Sequence, residues 1–447
     1  MPPAAFNTKC WCFPSASPLR GRAAQQNRCE RGRCFAGISS AVSFMPAVGL
    51  QRHRQEAQYG RAPTTVASLP VLDLGEQNVK QRIQAIAQEV EAGLGLAPPA
   101  RVNLNDGRHF VALQEAFKAA LEEKPLFPAT LVAELERSAC ALLRFGADVF
   151  AHETGMPTPM RRPSGFPEDP PLDMDFDYLT LAVACQVVLH RPDLVSGMHS
   201  FKQLYGGRLI TEIVPEVGGH VEFTGAQRNS DLTVQSEKEM RLHVDDADHL
   251  LRGRIQLLTG VKNLDSTATT FAVVPPDATL RGLGACNTDL LRAPLFRSYP
   301  PALIEPEQVP LRPLLFGPAD APMVQADEKP LSAKAKASPC PSFETPEAAA
   351  AWEAFHAYLK TPDCLRHVIV GPGDVLLLDN YRMMHGREEM PPVQHVHNRR
   401  WVKRLWLSSA PMEPFLAQCP SVQGHPRVFD RLDAFQAQIG ALHPVLP

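Results

Sequence analysis

LHVD at Leu242–Asp245 and DNYRMMHGR at Asp379–Arg387 are the two stretches that decide the fold and the chemistry of this chain of 447 residues. In an extended strand, side chains two residues apart point to the same face, so His243 and Asp245 can bind one metal ion from a single strand. His385 would complete the site from a distant strand. Two imidazoles and one carboxylate that leave coordination positions open are the ligand set of Fe(II) that must also bind O2 and a co-substrate.

Order and context decide between this metal site and chance. A His-x-Asp triplet alone occurs by chance in many proteins, and a lone His is more often an ordinary surface or core residue than a ligand. Here Thr269-Thr270 follows the triplet, and the apolar run Val375–Leu378 comes just before His385. The basic run Arg399–Arg404 follows and offers the planar guanidinium groups that bind carboxylates. This order favours the iron site.

Arg400 and Arg404 share one face of the strand predicted for the basic run, because side chains alternate between the two faces. The alternative for this run is a basic strand edge that is exposed to solvent. The shared face favours an inward orientation, in which a bidentate Arg neutralises a buried carboxylate that is costly without a partner.

On these motifs the chain resembles the Fe(II)/2-oxoglutarate-dependent oxygenases of the taurine dioxygenase superfamily. It is similar to the clavaminate synthase-like branch, which includes β-hydroxylases of free arginine and asparagine. The matching segments, in chain order, are Gly206–Pro215, Gln235-Ser236, His243–His249, Lys262-Asn263, Thr269-Thr270, Asp379–Arg387 and Arg400–Arg404. Two departures lie near the metal: Asp245 replaces the usual Glu of the branch, as is common in the wider superfamily, and Asp248 replaces the usual aromatic residue.

The resemblance implies a role for each matching residue of the metal site. His243, Asp245 and His385 would bind Fe(II), with 2-oxoglutarate and O2 in the open positions. Arg400 would bind the distal carboxylate of 2-oxoglutarate, with Thr270 as a second donor.

Two further residues would bind the substrate if the resemblance extends that far. Arg404 would face a substrate carboxylate. Glu212 matches a position that contacts the substrate α-amino group in the amino-acid hydroxylases. The alternative for Glu212 is an ion pair with Arg208, which would make Glu212 purely structural.

Apolar periodicity divides the chain into a helical part and a β-rich part. The predicted helices are Val79–Leu96, Phe110–Leu121, Leu131–Val149, Tyr178–Leu189 and one whose N-cap is Thr345. The predicted strands are Arg208–Val214, Gln256–Val261, Thr269–Val274, His367–Val370, Val375–Leu378 and Trp401–Leu407. Together with the resemblance, this pattern predicts a mainly β fold with flanking helices, built on a double-stranded β-helix core of the jelly-roll or cupin type.

Four regions are expected along the chain. They are an extension at 1–65, a helical scaffold at 66–200, the oxygenase core at 201–410 with an insertion or lid at 275–341, and a tail at 411–447. The extension is rich in Arg and contains only the acids Glu30 and Glu56, which is typical of an organelle transit peptide. The alternatives are a disordered bacterial extension or a true start at Met45. No secretory pattern is present, so we expect a cytoplasmic or organellar protein that is not secreted.

Composition argues against two classes of partner, and the resemblance implies a small-molecule substrate. A net charge of −3 argues against nucleic-acid binding, and no apolar run reaches the length of a membrane span. The resemblance implies an oxygenase that hydroxylates a C–H bond of a free amino acid or amino-acid-derived metabolite and releases succinate and CO2. Desaturation and ring closure stay open as outcomes. The alternatives are an oxygenase acting on another small carboxylate, of the betaine type, and a non-catalytic β-barrel binding module.

Overall fold

A computed structural model gives the fold of this protein. It describes residues 69–74, 78–96, 102, 104, 107–146, 158, 175–192, 194–196, 210–214, 239–245, 247, 253–282, 287–297, 311–326, 342–391 and 398–409. These residues belong to one compact unit, 63–447. The predicted extension at 1–65, the predicted tail at 411–447, and the positions Arg208 and Asp248 lie outside the described residues. The predicted domain boundaries stay a prediction.

The described part of the chain contains both helices and strands. The helices are α1 (Val79–Gly93), α2 (Gly107–Glu123), α3 (Thr130–Ser138), α4 (Asp175–His190), α5 (Asp277–Gly282), α6 (Thr288–Arg292) and α7 (Pro346–Leu359). The strands are β1 (Val71–Asp73), β2 (Cys140–Arg144), β3 (Leu194–Ser196), β4 (Thr211–Ile213), β5 (Met240–His243), β6 (Ile255–Lys262), β7 (Ala268–Val273), β8 (Phe296–Arg297), β9 (Leu315–Phe316), β10 (Met323–Val324), β11 (Ser342–Phe343), β12 (Arg366–Ile369), β13 (Asp374–Asp379), β14 (Met383–Arg387) and β15 (Trp401–Ser409).

Two sheets form the centre of the fold. The larger sheet has seven strands in the order β1-β2-β13-β6-β15-β3, with β4 also paired to β15. The smaller sheet has the order β12-β7-β14-β5. All pairs in both sheets are antiparallel except β1–β2. Many strands that are adjacent in a sheet are distant in the chain, so each sheet combines segments that are far apart in the described sequence.

Three layers of apolar side chains position these sheets. Helices α1, α2 and α4 cover the outer face of the larger sheet, where Phe117, Leu179 and Leu405 share one core. The inter-sheet core lies between the two sheets and contains Phe271 and Val402. Helix α7 covers the outer face of the smaller sheet, in a core made by Ala272, Met384, Trp352, Phe355 and their neighbours. Alternation along each strand therefore decides which side chains face the inter-sheet space.

Most predicted elements are confirmed. Each of the six predicted strands overlaps a strand of the structure, namely β4, β6, β7, β12, β13 and β15. Thr345 caps α7 as predicted, because its hydroxyl accepts a hydrogen bond from the Ala348 N–H at 3.2 Å. None of the helices in the described part is long and apolar enough to cross a membrane.

The helix predicted for Leu131–Val149 is wrong beyond its first half. Helix α3 ends at Ser138, because Ala139 adopts a left-handed conformation with φ of 61°. Cys140–Arg144 then forms β2, which pairs with β1 on one side and β13 on the other. An apolar run of this kind fits a buried helix or a buried strand, and here the two strand partners decide.

Candidate metal centre

The two predicted His ligands lie side by side on the inner face of the smaller sheet. His243 is the last residue of β5 and pairs directly with His385 in the middle of β14. His385 also pairs with Phe271, which belongs to the inter-sheet core. Side chains of directly opposed residues share a face, so both imidazoles face the inter-sheet space. Their ring centroids are 4.5 Å apart.

Asp245 completes the cluster from the turn that follows β5. Its Oδ1 lies 3.4 Å from His243 Nε2, and its Oδ2 lies 3.9 Å from His385 Nε2. One ligand atom from each of the three residues falls within 4.8 Å of the others, and all three side chains are buried. The structure thus brings together the three residues predicted to bind the metal. Two neutral imidazoles and a carboxylate fit a divalent first-row metal ion.

The hydrogen bond of His243 leaves the correct nitrogen available for a metal. His243 Nδ1 lies 2.9 Å from the backbone carbonyl oxygen of Arg241. A carbonyl oxygen only accepts, so Nδ1 carries the proton and the lone pair of the neutral ring is on Nε2. That Nε2 atom faces Asp245. A backbone carbonyl that fixes the tautomer in this way is a common support for metal-binding His residues.

Asn380 fixes the backbone of Asp245, a role that the sequence analysis missed. The Asp245 N–H donates to Asn380 Oδ1 at 2.8 Å, and Asn380 Nδ2 donates to the Asp245 carbonyl at 2.9 Å. The same Nδ2 group also donates to the carbonyl of Gly253 at 3.1 Å. Asn380 is fully buried and lies between β13 and β14. The only sequence signal was its position directly after a buried strand.

The Asp245 carboxylate is held ionised by its neighbours. Gln256 Nε2 donates to Oδ2 at 2.7 Å, and Arg404 Nη1 donates to the same oxygen at 3.0 Å. Burial alone would raise the pKa of Asp245, but the Arg404 guanidinium and the two imidazoles hold that pKa well below its usual range. Arg404 therefore faces the inter-sheet space as predicted, and in this structure it pairs with Asp245.

Arg400 is a buried cation directly before β15, four residues before Arg404. Its Nη2 donates to Thr269 Oγ1 at 3.0 Å. Among the described residues, no carboxylate lies within ion-pair distance of its guanidinium, and Nε has no hydrogen-bond acceptor. Burial lowers the pKa of Arg400 to about 10, with Asp265 acting weakly in the opposite direction. Arg400 is still charged at neutral pH, and it fits the carboxylate of a small molecule.

The hydroxyl beside Arg400 belongs to Thr269, so the expectation for Thr270 is corrected. Thr269 and Phe271 alternate with Thr270 along β7, and Phe271 lies in the inter-sheet core. Thr270 pairs with Gly386 on the opposite face of the smaller sheet. The sequence identified the pair of threonines, but a one-residue choice within the pair depends on which face of β7 points inward.

Glu212 lies on the helix side of the larger sheet, which contradicts the expectation that it contacts the substrate. It pairs with Lys403 in the β4–β15 register, and its Oε1 accepts from Lys403 Nζ at 3.0 Å. Its Oε2 accepts from Trp401 Nε1. Trp401 belongs to the core beneath the helices. Among the described residues, the cationic partner of Glu212 is Lys403, while Arg208, the partner named in the alternative, lies outside the described residues.

Lys403 joins two buried carboxylates between α4 and the larger sheet. Its Nζ donates to Asp177 Oδ1 at 2.7 Å and to Glu212 at 3.0 Å, and the side chain is 0% exposed. Burial alone would lower the pKa of Lys403, but the two carboxylates raise it above its ordinary value. Replacing Lys403 with Met should lower the free energy of unfolding by about 3–5 kcal/mol, because two buried carboxylates lose their partner. Urea denaturation measures this loss.

A matched control for Lys403→Met is Lys118→Met. Lys118 pairs with Glu115 at 3.0 Å, and half of the Glu115 side chain is exposed. An exposed pair of this kind contributes about 0–1 kcal/mol. Equal losses of unfolding free energy in the two variants would show that the buried ion pairs of Lys403 contribute no more to stability than an exposed pair.

Gly386 allows β5 and β14 to approach closely at the metal site. A Cβ atom on Gly386 would overlap the carbonyl oxygen of Met240 and would lie 3.1 Å from that of Arg241. Both carbonyls belong to β5, which carries His243, so β5 must shift in the Gly386→Ala variant. We expect metal affinity to fall about tenfold or more, in line with other changes that displace the supports of metal ligands. Isothermal titration calorimetry with Co(II) measures the affinity.

Gly282→Ala serves as the control for the Gly386 variant, because its Cβ would have nothing within 4 Å. That change should leave metal affinity unaltered. Wild-type affinity in Gly386→Ala would show that β5 tolerates the displacement.

Comparisons with known proteins identify a similar family, similar sequences and similar folds. Residues 291–406 match the family described as taurine catabolism dioxygenase TauD, TfdA family. Residues 291–406 are therefore similar to a TauD/TfdA-family domain, in agreement with the resemblance stated from the motifs. The matched range includes His385, Arg400 and Arg404, while His243 and Asp245 precede it.

Two relatives show the same likeness in sequence. L-asparagine oxygenase of Streptomyces coelicolor (strain ATCC BAA-471 / A3(2) / M145) is 29% identical over 204 residues, which is 45% of this chain and 54% of that protein. Enduracididine β-hydroxylase of Streptomyces hygroscopicus is 26% identical over 196 residues, which is 38% of this chain and 53% of that protein. The chain thus spans about half the length of the curated relatives it matches.

Two solved structures show a similar fold. Asparagine oxygenase in complex with Fe(II), 2S,3S-3-hydroxyasparagine and succinate has a TM-score of 0.51 and 21% identity, over 75% of this chain and 92% of that chain. The non-heme iron oxygenase OrfP in complex with Fe and α-ketoglutaric acid has a TM-score of 0.52 and 21% identity, over 80% of this chain and 98% of that chain. The overall fold is therefore shared with these proteins.

Proposed function

We propose that this protein is an Fe(II)/2-oxoglutarate-dependent oxygenase that hydroxylates a C–H bond of a free amino acid or an amino-acid-derived metabolite. Its two central sheets would then be the halves of a double-stranded β-helix. One observation carries the proposal: His243, Asp245 and His385 form a buried ligand cluster, and Arg400 lies buried in the same inter-sheet space without a carboxylate partner among the described residues.

The donor set of the centre fits the metal. His243 and His385 offer neutral imidazole nitrogens, and Asp245 offers a carboxylate oxygen that needs no proton removed at neutral pH. Bound Fe(II), together with 2-oxoglutarate and O2, would supply the oxidation of an unactivated C–H bond. The residues of this chain would position the metal, 2-oxoglutarate and the substrate. They also keep bulk water largely out of the site, since the three ligand residues are only 2–6% exposed.

Two arginines, one directly before β15 and one on it, would bind the two small molecules. Arg400 and Thr269 offer charge-assisted and hydroxyl hydrogen bonds to the distal carboxylate of 2-oxoglutarate. Arg404, on the same face and next to the metal ligands, would bind the carboxylate of the substrate. Arg404 contacts Asp245 in this structure, so its guanidinium would donate both to the Asp245 carboxylate and to the substrate carboxylate.

The substrate class rests on the relatives, whose names state asparagine and enduracididine as the compounds on which they act. Another small carboxylate of the betaine type is a second candidate for the substrate. The position of Glu212 supports this second candidate. Glu212 was the expected partner of a substrate ammonium group, and it contacts Lys403 on the far side of the sheet.

Succinate formation tests the proposal. The protein is incubated with Fe(II), ascorbate, O2 and 2-oxoglutarate, with each free amino acid in one set of reactions and betaine-type carboxylates in another. We expect slow succinate release without substrate and strong stimulation by one compound. Stimulation by a betaine-type carboxylate alone would move the substrate assignment to the second candidate. A protein that binds 2-oxoglutarate but releases no succinate with any compound would be a binding module.

A further inference from the structure

Gln256 is a buried amide beside the metal ligands. It lies on β6, pairs with Leu378 and Trp406 in the larger sheet, and is 1% exposed. Its position alternates with Leu257, which packs beneath the helices, so Gln256 faces the inter-sheet space. Its Nε2 donates to Asp245 Oδ2 at 2.7 Å. No motif of the sequence analysis included this residue.

The chemistry of Asp245 fixes the orientation of the Gln256 amide. An ionised carboxylate only accepts hydrogen bonds, so the NH2 group of Gln256 must face Oδ2 and the carbonyl oxygen Oε1 must point away from it. Oε1 is buried and has no hydrogen-bond donor among the described residues. A buried acceptor without a partner lowers the stability of the folded state. A Leu at this position would fill the core without that cost.

The two oxygens of Asp245 have different surroundings. Oδ2 accepts from both Gln256 and Arg404, while Oδ1 is the oxygen nearest to His243 Nε2. The two donors leave Oδ1 as the better-placed metal ligand. If a bound carboxylate draws Arg404 away, Gln256 alone keeps Oδ2 in place.

We propose that Gln256 is a positioning residue for the metal-binding carboxylate, and that its Oε1 accepts a hydrogen bond from an N–H or O–H group of the small molecule bound beside the metal. This inference rests on the proposed function and adds a specificity-determining acceptor to the site. It implies that the bound molecule carries a hydrogen-bond donor in addition to the carboxylate that Arg404 recognises.

Metal affinity tests the positioning role, with Gln256→Met as the variant. Met has a similar length and no polar group that could hold Oδ2. Co(II) alone is the probe, and isothermal titration calorimetry measures its dissociation constant. We expect the affinity to fall about 10–100-fold, as for the loss of other groups that orient metal ligands. Unchanged affinity would overturn the positioning role.

Gln186→Met is the matched control. Gln186 is also fully buried, but its amide bonds the backbone of Leu126 and Phe127 in the helical layer. That change should lower the melting temperature and leave Co(II) affinity unaltered. A comparison of the two variants separates a loss of stability from a loss of ligand orientation.

The acceptor role has its own measurement. At saturating Fe(II), Gln256→Met should raise the KM for the amino acid that stimulates wild-type succinate formation most strongly, and it should leave the KM for 2-oxoglutarate unchanged. If Oε1 accepts no hydrogen bond from the bound molecule, the amino-acid KM of the variant will stay at the wild-type value, and the acceptor role will be overturned. Wild-type protein that binds no Co(II) would instead overturn the proposed function itself.

Discussion

Asp245→Ala is expected to abolish metal binding and, with it, succinate formation above background. The change removes the carboxylate of the ligand cluster and leaves two imidazoles, which are too few to hold Fe(II) in an open site. It also leaves the buried Arg404 guanidinium without the oxygen to which it now donates at 3.0 Å. Co(II) titration and a succinate assay measure the two losses. Wild-type turnover in this variant would contradict the whole assignment of the centre.

Loss of folding could imitate loss of metal, so Asp245→Asn is measured beside it. Asn keeps the shape of Asp and an oxygen that can accept from Gln256 and Arg404, but it has no negative charge. We expect Asp245→Asn to retain a cooperative thermal transition and still to lose metal binding. A variant that folds and binds Co(II) with wild-type affinity would show that the charge is dispensable.

The pKa of Asp245 also sets the pH range of the metal site. Burial opposes ionisation, but Arg404 and the imidazoles hold that pKa well below its usual range. A depressed folded-state pKa contributes stability above the unfolded-state pKa, and this contribution is lost as pH falls through the folded-state value. The carboxylate is therefore ionised through the neutral range, and metal binding there needs no proton release from Asp245.

The strand pattern and the ligand cluster could be predicted from the sequence because each signal is local. The apolar run Val375–Leu378 predicted β13, and the two-residue spacing of His243 and Asp245 predicted a shared direction. Only His385 had to come from elsewhere, and its motif identified it. Val375 and Leu377 of β13 pack beneath the helices, while Leu376 and Leu378 pack in the inter-sheet core, so a continuous apolar run marks a strand that is buried on both faces.

The errors and omissions all depend on partners that are distant in the chain. Thr269 rather than Thr270 reaches Arg400, because the pairing of β7 with β14 decides which of the two faces inward. Glu212 faces the helices because it lies opposite Lys403 in the β4–β15 register. A shift of one residue reverses the face of every side chain in a strand, and no local pattern fixes that choice for a polar residue.

The roles of two supporting residues of the centre could not be predicted for the same reason. Asn380 bonds Asp245 across 135 positions of sequence, and Gln256 reaches it from a neighbouring strand of the other sheet. A single buried amide in an apolar run has no spacing that distinguishes it from a surface residue. The contacts of these amides with Asp245 become apparent only when the two sheets are packed together.

Arg400→Ala should raise the KM for 2-oxoglutarate by about two to three orders of magnitude. The guanidinium is buried beside Thr269, and among the described residues it has no carboxylate partner, so a ligand carboxylate would supply the missing charge. Removing one member of a buried charge pair costs about 3–5 kcal/mol, and each 1.4 kcal/mol corresponds to about tenfold in affinity. Direct titration of 2-oxoglutarate into the Co(II)-loaded variant measures the same loss without turnover.

Arg399→Ala is the comparison that makes this result decisive. Arg399 is equally buried, at 3% exposure, and its neighbour Arg400 is at 5%. If burial of positive charge near β15 were all that mattered, both variants would weaken 2-oxoglutarate binding alike. Because only Arg400 donates to Thr269, we expect Arg399→Ala to keep the wild-type KM for 2-oxoglutarate and Co(II) affinity to be unchanged in both. A large effect in Arg399→Ala with none in Arg400→Ala would place the co-substrate on the other face of β15, together with Glu212 and Lys403.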